Sequence, residues 1–227
     1  MNNTLSPFII SVKTSVLATI ITSILGVIIA YLMANYRGRF KGFLDGLLTL
    51  PLVLPPTVVG FFLLLFFGKN GPFGKFLLLF NKTVIFSWSA TVIAAVVVSF
   101  PMMYRSSRSA FEQIDYNIIS AAKTLGFSNF RIFCKIAIPL AFPGIIGGII
   151  LSFARALGEF GATLMIAGNI PGKTQTIPLA IFFAVEGGNM ALAYKWVITI
   201  VLISLISIFL LNNWSNIQSK LFRKRFK

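Results

Sequence analysis

The sequence contains five apolar stretches, each long enough to cross a lipid bilayer as an α-helix. A spanning helix needs roughly 20 consecutive, mainly apolar residues. Within the first stretch, Lys13 near its start is the only charge. The sequence therefore predicts an all-α integral membrane protein, with one transmembrane domain over residues 1–227 and five spans at 8–36, 46–67, 84–104, 140–167 and 194–212.

Composition supports the same environment and excludes several classes of protein. Hydrophobic residues make up 57% of the chain and charged residues only 11%, whereas soluble domains carry about 25% charged residues. The chain has no His and one Cys, which disfavours metal, haem and disulfide chemistry. No metal site and no cofactor bound by this chain are expected. The net charge of +15 is interpreted as an orientation signal and not as a nucleic-acid surface.

The distribution of Lys and Arg predicts how the chain is oriented. One set of connections, together with the C-terminal tail, carries 13 of the 20 Lys and Arg residues, and the opposite set carries 6. The more basic side faces the cytoplasm under the positive-inside rule. The N-terminus is therefore expected outside and the C-terminus inside, which requires an odd number of spans. The basic tail, residues 213–227, is expected to face anionic membrane lipids.

The second stretch is unusual because it contains Pro51, Pro55 and Pro56. Proline removes a backbone donor and clashes with the preceding helical turn. In lipid, the freed carbonyl groups must find partners in protein or water. Two interpretations stay open and are compatible: a kink packed against neighbouring helices, or a broken helix at Pro55 and Pro56 beside a transport path.

Residues 105–139 are too polar to span a membrane but have a regular pattern. Apolar residues recur at helical spacing and give one apolar face, formed by Ile114, Ile118, Ala121, Ala122 and Leu125. Gly126 is expected to end this helix, and Ser128 or Asn129 to cap a second one. The pattern predicts a helix–turn–helix on the cytoplasmic face between spans three and four, which by itself is typical of an interfacial helix.

This segment, SAAKTLGFSNFRIFCKIAIP, resembles the EAA loop of permeases from ABC importers, with a pattern close to E-A-A-x3-G-x9-I-x-L-P. Ser120 stands where the family often has Glu, and Ile138 where it often has Leu. The positions of the loop that we take as candidate ATPase-coupling residues are Ser120, Ala121, Ala122, Gly126, Ile136 and Pro139. The resemblance implies that the loop carries a coupling helix, which seats in a groove of a separate ATPase subunit.

The chain itself contains no G-x-x-x-x-G-K-[ST] sequence, the motif of P-loop ATPases. It is therefore interpreted as a transport subunit and not an enzyme. ATP with Mg²⁺ is expected on the partner ATPase. ATP-driven closure of two ATPase subunits would move the coupling loops and switch the helices between inward-open and outward-open states.

Two further segments resemble the molybdate permeases of this family: LTLPLVLPPTVVGFFLL and FARALGEFGATLMIAGNIPGKTQTIPLAI. The resemblance implies import of molybdate across a prokaryotic plasma membrane by a homodimer of this chain, two ATPase subunits and an extracytoplasmic oxyanion-binding protein. Sulfate, thiosulfate or tungstate import is the alternative within the class. A passive channel, a secondary transporter and a membrane-assembly factor are alternatives from other classes.

Two ionisable side chains, Arg155 and Glu159, lie four residues apart within the fourth predicted span. Ionisable groups in a membrane are costly and usually face a partner or a cavity. One interpretation is a mutual ion pair that fixes helix position. The other is a weakly positive, compensated site for a passing dianion, with Ser152 and Thr163 as hydroxyl donors. The outer segments 68–82 and 168–193 are predicted as loops. Residues 168–188 are the expected docking face for the binding protein, or the stretch NIPGKTQTIP within them is a gate at the outer end of the path.

Overall fold

The computed structural model describes residues 5–225, with side chains described through residue 209. Within that range the chain is helical and contains no β-strand. The helices are α1 Ser6–Asn35, α2 Lys41–Val53, α3 Pro56–Phe67, α4 Pro72–Leu78, α5 Trp88–Glu112, α6 Tyr116–Thr124, α7 Asn129–Ile132, α8 Ile138–Leu157, α9 Gly161–Ala167, α10 Ile177–Glu186 and α11 Met190–Arg225. A π-helical turn, Phe133–Ala137, joins α7 to α8.

Four continuous helical segments are long and apolar enough to cross a membrane: α1, α5, the run from Asn129 to Leu157, and Met190–Phe209 of α11. The second predicted span, residues 46–67, corresponds to the pair α2–α3, between which the chain bends by 111°. Residues 5–225 thus provide up to five membrane passes if this bent pair counts as one. The predicted tail, residues 213–227, lies outside the residues whose side chains are described.

The bend between α2 and α3 divides the span predicted over residues 46–67 at Pro55 and Pro56, so the broken helix is the one of the two open interpretations that the structure shows, while its place beside a transport path stays a prediction. The cause is local, because a residue that precedes proline is driven out of the helical region. Leu54 and Pro55 both adopt extended backbone, with ψ angles of 141° and 137°. Pro56 then starts α3, where the missing N–H of proline costs nothing. Pro51 lies inside α2 without interrupting it.

Three other predicted boundaries differ from the structure. The third span, predicted to end at 104, continues as α5 to Glu112. The fourth, predicted over 140–167, is divided, because α8 ends at Leu157 and α9 begins at Gly161. The outer segment 168–193, predicted as a loop, contains α10. Hydropathy does not locate these helix ends, because α5 continues through the polar residues 105–112 and α8 ends inside the stretch predicted as one span.

The centre of the bundle is formed by α1, α5 and α8, which pack closely through small residues. A Cβ at Gly26 of α1 would lie 2.7 Å from Met103 Cγ, and one at Gly148 of α8 would lie 2.9 Å from Met103 Sδ. Buried hydroxyls join the same helices, for example Thr14 and Thr91 at 3.0 Å. Close backbone approach and interhelical hydrogen bonds stabilise helix pairs in lipid, where apolar side chains gain little from association.

Candidate functional site: coupling surface and helix junctions

The predicted coupling segment folds as two helices separated by a tight turn. Asp115 caps α6 by accepting a hydrogen bond from the Asn117 backbone N–H at 2.9 Å. Gly126 then adopts a positive φ of 79°. The N–H groups of Gly126 and Phe127 donate to the carbonyls of Lys123 and Ala122 at 2.9 and 3.1 Å. This pair of bonds is a Schellman motif, which needs a left-handed residue and therefore favours glycine.

The second helix, α7, is joined rigidly to the bundle. Ser128 caps it by accepting from the Arg131 backbone N–H at 3.3 Å, and the chain continues through the π-helical turn into α8 without a break. Pro139 lies in the first turn of α8. Three aromatic rings anchor the segment to α1 and α5, since Tyr31 lies 5.4 Å from Phe111 and 4.7 Å from Phe133 between ring centroids. Movement of α6 and α7 would therefore be transmitted to the spans.

The apolar face expected on α6 is not buried as a unit. Ala122 is buried, but Ala121 is exposed and Ile118 is 44% exposed. Leu125 and Phe130, on either side of the turn, are 77% and 75% exposed. Exposed large apolar side chains beside one turn, at the end of the molecule predicted to be cytoplasmic, are typical of a surface that binds a partner. We call these three large side chains, Ile118, Leu125 and Phe130, the coupling surface.

Arg155 and Glu159 occupy the junction between α8 and α9. Arg155 lies in the last turn of α8, and its Nη1 is 2.8 Å from Glu159 Oε2, an ion-pair contact without hydrogen-bond alignment. Glu159 is 2% exposed, and its Oε1 accepts from the Ala162 backbone N–H at 2.7 Å, which caps α9. The Arg155 side chain is 27% exposed. The buried carboxylate therefore holds the junction together, while the guanidinium stays partly accessible.

The two helix breaks of the chain lie against each other, because α9 packs on α3. A Cβ on Gly161 would be 3.0 Å from Pro56 Cβ, and a Cβ on Gly60 would be 2.8 Å from Ala162 Cα. The glycines let the backbones of the two helices touch. The structure thus brings the break at Pro55 and Pro56 close to the junction that Glu159 caps.

The two hydroxyls predicted beside the path are internal in this structure. Ser152 is fully buried and donates to the Ser99 carbonyl at 3.4 Å, within the contact between α8 and α5. Thr163 is 1% exposed in α9. Their role as donors to an anion stays a prediction.

Sequence reasoning missed a polar network between α2 and α5. Arg108 forms an ion pair with Asp45 and a second one with Glu112 at 2.9 Å. Tyr104 donates to Asp45 Oδ1 at 2.8 Å, and Lys41 Nζ lies 3.5 Å from Glu112 Oε1. The available signal was the i, i+4, i+8 spacing of Tyr104, Arg108 and Glu112, together with the i, i+4 spacing of Lys41 and Asp45. Charge counting alone assigns Lys41 and Arg108 only to the orientation of the chain.

The close contact between α3 and α9 gives a stability prediction. Gly60→Ala places a methyl group against the Ala162 backbone. We therefore expect the free energy of unfolding in detergent to fall by about 1–3 kcal/mol. Gly46→Ala in α2 is the matched control, because nothing lies within 4 Å of its Cβ position and alanine is the better helix former. Thermal unfolding of the two variants measures the difference. Equal melting temperatures would contradict the packing described.

Residues 23–226 match the family described as binding-protein-dependent transport system inner membrane component. The chain belongs to this family. Solved structures with a similar fold include a chain of the methionine ABC transporter MetNI in inward-facing conformations, with a TM-score of 0.71 over 92% of this chain and 93% of that chain at 14% identity. A chain of a bacterial ABC transporter that imports alginate gives a TM-score of 0.76 at 12% identity, over 95% of this chain and 80% of that chain. At such identities the likeness concerns the fold alone.

Sequence relatives are much more similar. The molybdenum transport system permease protein ModB of Escherichia coli (strain K12) is 47% identical over 168 residues, covering 73% of this chain and 72% of that protein. ModB of Haemophilus influenzae is 44% identical over 176 residues, 76% of each chain. The sulfate transport system permease protein CysT of E. coli is 34% identical over 175 residues, 77% of this chain and 62% of that protein. The chain is thus a multi-pass inner-membrane transport component, as the sequence predicted.

Proposed function

We propose that this chain is the permease subunit of an ATP-driven importer of molybdate. The identity of 47% to a molybdenum permease, against 34% to a sulfate permease, supports molybdate over sulfate. Tungstate is nearly identical to molybdate in size and charge and is the alternative cargo. The feature of the fold that carries the importer mechanism is the coupling surface, which is apolar and exposed and whose second helix, α7, continues without a break into α8.

Alternating access would begin at the coupling surface. Two ATPase subunits bind ATP with Mg²⁺, this chain binds no cofactor, and each of two copies of this chain seats its α6 and α7 on one ATPase. Closure of the ATPases moves these helices, and the movement reaches the bundle through α5 and α8. An extracytoplasmic binding protein delivers the oxyanion at the opposite face. The homodimer encloses the path, since one copy supplies only half of its wall.

Arg155 would act on the anion during passage. Its guanidinium is partly accessible, whereas Glu159, which compensates it, is buried. A dianion near the junction would be attracted by the guanidinium, and the neighbouring carboxylate would keep that attraction weak. Weak, compensated attraction suits a conduit, because a strong site would retain the anion.

Uptake into proteoliposomes tests the function directly. Vesicles would contain this chain with its ATPase and binding protein, and labelled molybdate uptake would be measured with and without enclosed ATP. We expect ATP-dependent uptake that resists excess sulfate. Competition by sulfate would assign the chain to sulfate transport instead. Uptake that does not depend on ATP would contradict the importer mechanism and favour a channel or secondary transporter.

A further inference from the structure

The polar network between α2 and α5 is arranged as a zipper between antiparallel helices. Lys41 pairs with Glu112, and Asp45, one turn later in α2, pairs with Arg108, one turn earlier in α5. Arg108 is the centre, since its Nη1 also donates to the Tyr104 hydroxyl at 3.1 Å and its Nε to Glu112 at 2.9 Å. A planar guanidinium with several fixed donors suits this role better than an ammonium group.

The zipper matters to α2 because apolar burial holds this helix only weakly. None of the residues of α2 is buried. Leu44 and Leu48 pack against the central core, but the opposite side chains, Phe43, Leu47, Leu50 and Val53, are exposed. An element with few buried contacts is easily displaced. The ion pairs, which are directional, therefore set the position of α2 against α5.

The network also lies between the coupling segment and the helix breaks. Glu112 is the last residue of α5, and α6 begins four residues later, at Tyr116, after its cap Asp115. At its other end α2 leads through the 111° bend into α3. In turn α3 is in backbone contact with α9, which Glu159 caps. A continuous line of contacts thus runs from the coupling helix to the Arg155–Glu159 junction.

We propose that Arg108 is a positioning residue that ties α2 to the coupling end of α5, so that the bent pair α2–α3 moves whenever the coupling helix moves. This inference rests on the proposed function. It identifies the contact that couples transport to ATP hydrolysis. When the ion pair between Arg108 and Asp45 is broken, the ATPases still move α6, but α2 and α3 no longer move with it. Hydrolysis continues and transport does not.

The decisive measurement is molybdate taken up per ATP hydrolysed, in proteoliposomes that hold the full complex. Asp45→Asn and Arg108→Gln each break the central ion pair. We expect molybdate uptake per ATP to fall at least about fivefold, a change within the usual range of coupling free energies. The ATPase rate itself should change little. Arg105→Gln is the matched control. Arg105 lines a cavity of about 210 Å³ together with Asp45 and Arg108. It makes none of the bonds of the zipper and acts on Asp45 only as a neighbouring charge, so the ratio should stay that of the wild type.

A milder variant keeps the test decisive if the charge variants fold poorly. Tyr104→Phe removes two hydrogen bonds, the one that the hydroxyl donates to Asp45 and the one that it accepts from Arg108, but it removes no charge and preserves the buried ring. We expect a fall of about two- to threefold in uptake per ATP, smaller than for the charge variants because the ion pairs remain. A ratio equal to the wild type in the folded variants, or uptake and hydrolysis falling in proportion, would overturn the inference. Absence of ATP-dependent uptake in the wild type would instead remove the proposed function on which it rests.

Discussion

Replacing Leu125 with aspartate should abolish ATP-dependent uptake by preventing the ATPase from binding. The side chain is 77% exposed at the turn of the coupling segment, so the fold of this chain does not depend on it. In the complex, however, the carboxylate would have to enter an apolar contact, which costs several kcal/mol. We expect at least about 100-fold weaker binding of the ATPase. Co-purification, and binding of the ATPase to the immobilised permease in detergent, measure this affinity.

Leu79→Asp is the matched control for this substitution. Leu79 follows α4 and is 79% exposed, and the change in side chain is the same. By the predicted orientation it lies on the opposite side of the membrane. We expect ATPase binding to be that of the wild type. If Leu79→Asp weakens binding as much as Leu125→Asp does, the coupling surface is not where the ATPase docks.

Features with a local cause could be predicted from the sequence, and the structure confirms the all-α membrane fold. Apolar length predicts spans because hydrocarbon admits few polar groups. The turn at Gly126 follows from one residue that tolerates positive φ, and Ser128 caps the next helix as one of the two expected residues. The break at Pro55 and Pro56 was one of two open interpretations, since the sterics of consecutive prolines are local.

Features that depend on distant partners could not be predicted in the same way. The contact between α3 and α9 joins Gly60 to Ala162, about 100 residues further along the chain. The end of α8 falls in an apolar run, and Glu159 becomes a helix cap only because the chain turns there. The pairing of Asp45 with Arg108 joins residues 63 positions apart. Spacing on each helix was visible, but the register between two helices is set by tertiary packing.

The ion pair at the junction of α8 and α9 has a second large expected effect. Arg155→Met would leave the Glu159 carboxylate, 2% exposed, without its counter-charge. Removing one partner of a buried pair costs about 3–5 kcal/mol, because the remaining charge is uncompensated. We expect a lower melting temperature in detergent and loss of uptake. Glu159→Ala should be at least as harmful, since it also removes the acceptor for the Ala162 N–H.

The double variant Arg155→Met, Glu159→Gln separates stability from transport. It removes both charges, while the glutamine carbonyl can still accept from Ala162, so we expect a free energy of unfolding within about 1.5 kcal/mol of the wild type. If Arg155 attracts the anion during passage, uptake by this folded protein should still fall by about tenfold, equivalent to roughly 1.4 kcal/mol on the barrier. Uptake at the wild-type rate would instead show that the pair only holds the junction together. The double variant restores the stability of the α8–α9 junction but not the Arg155 charge, so transport would then require the stability and not the charge.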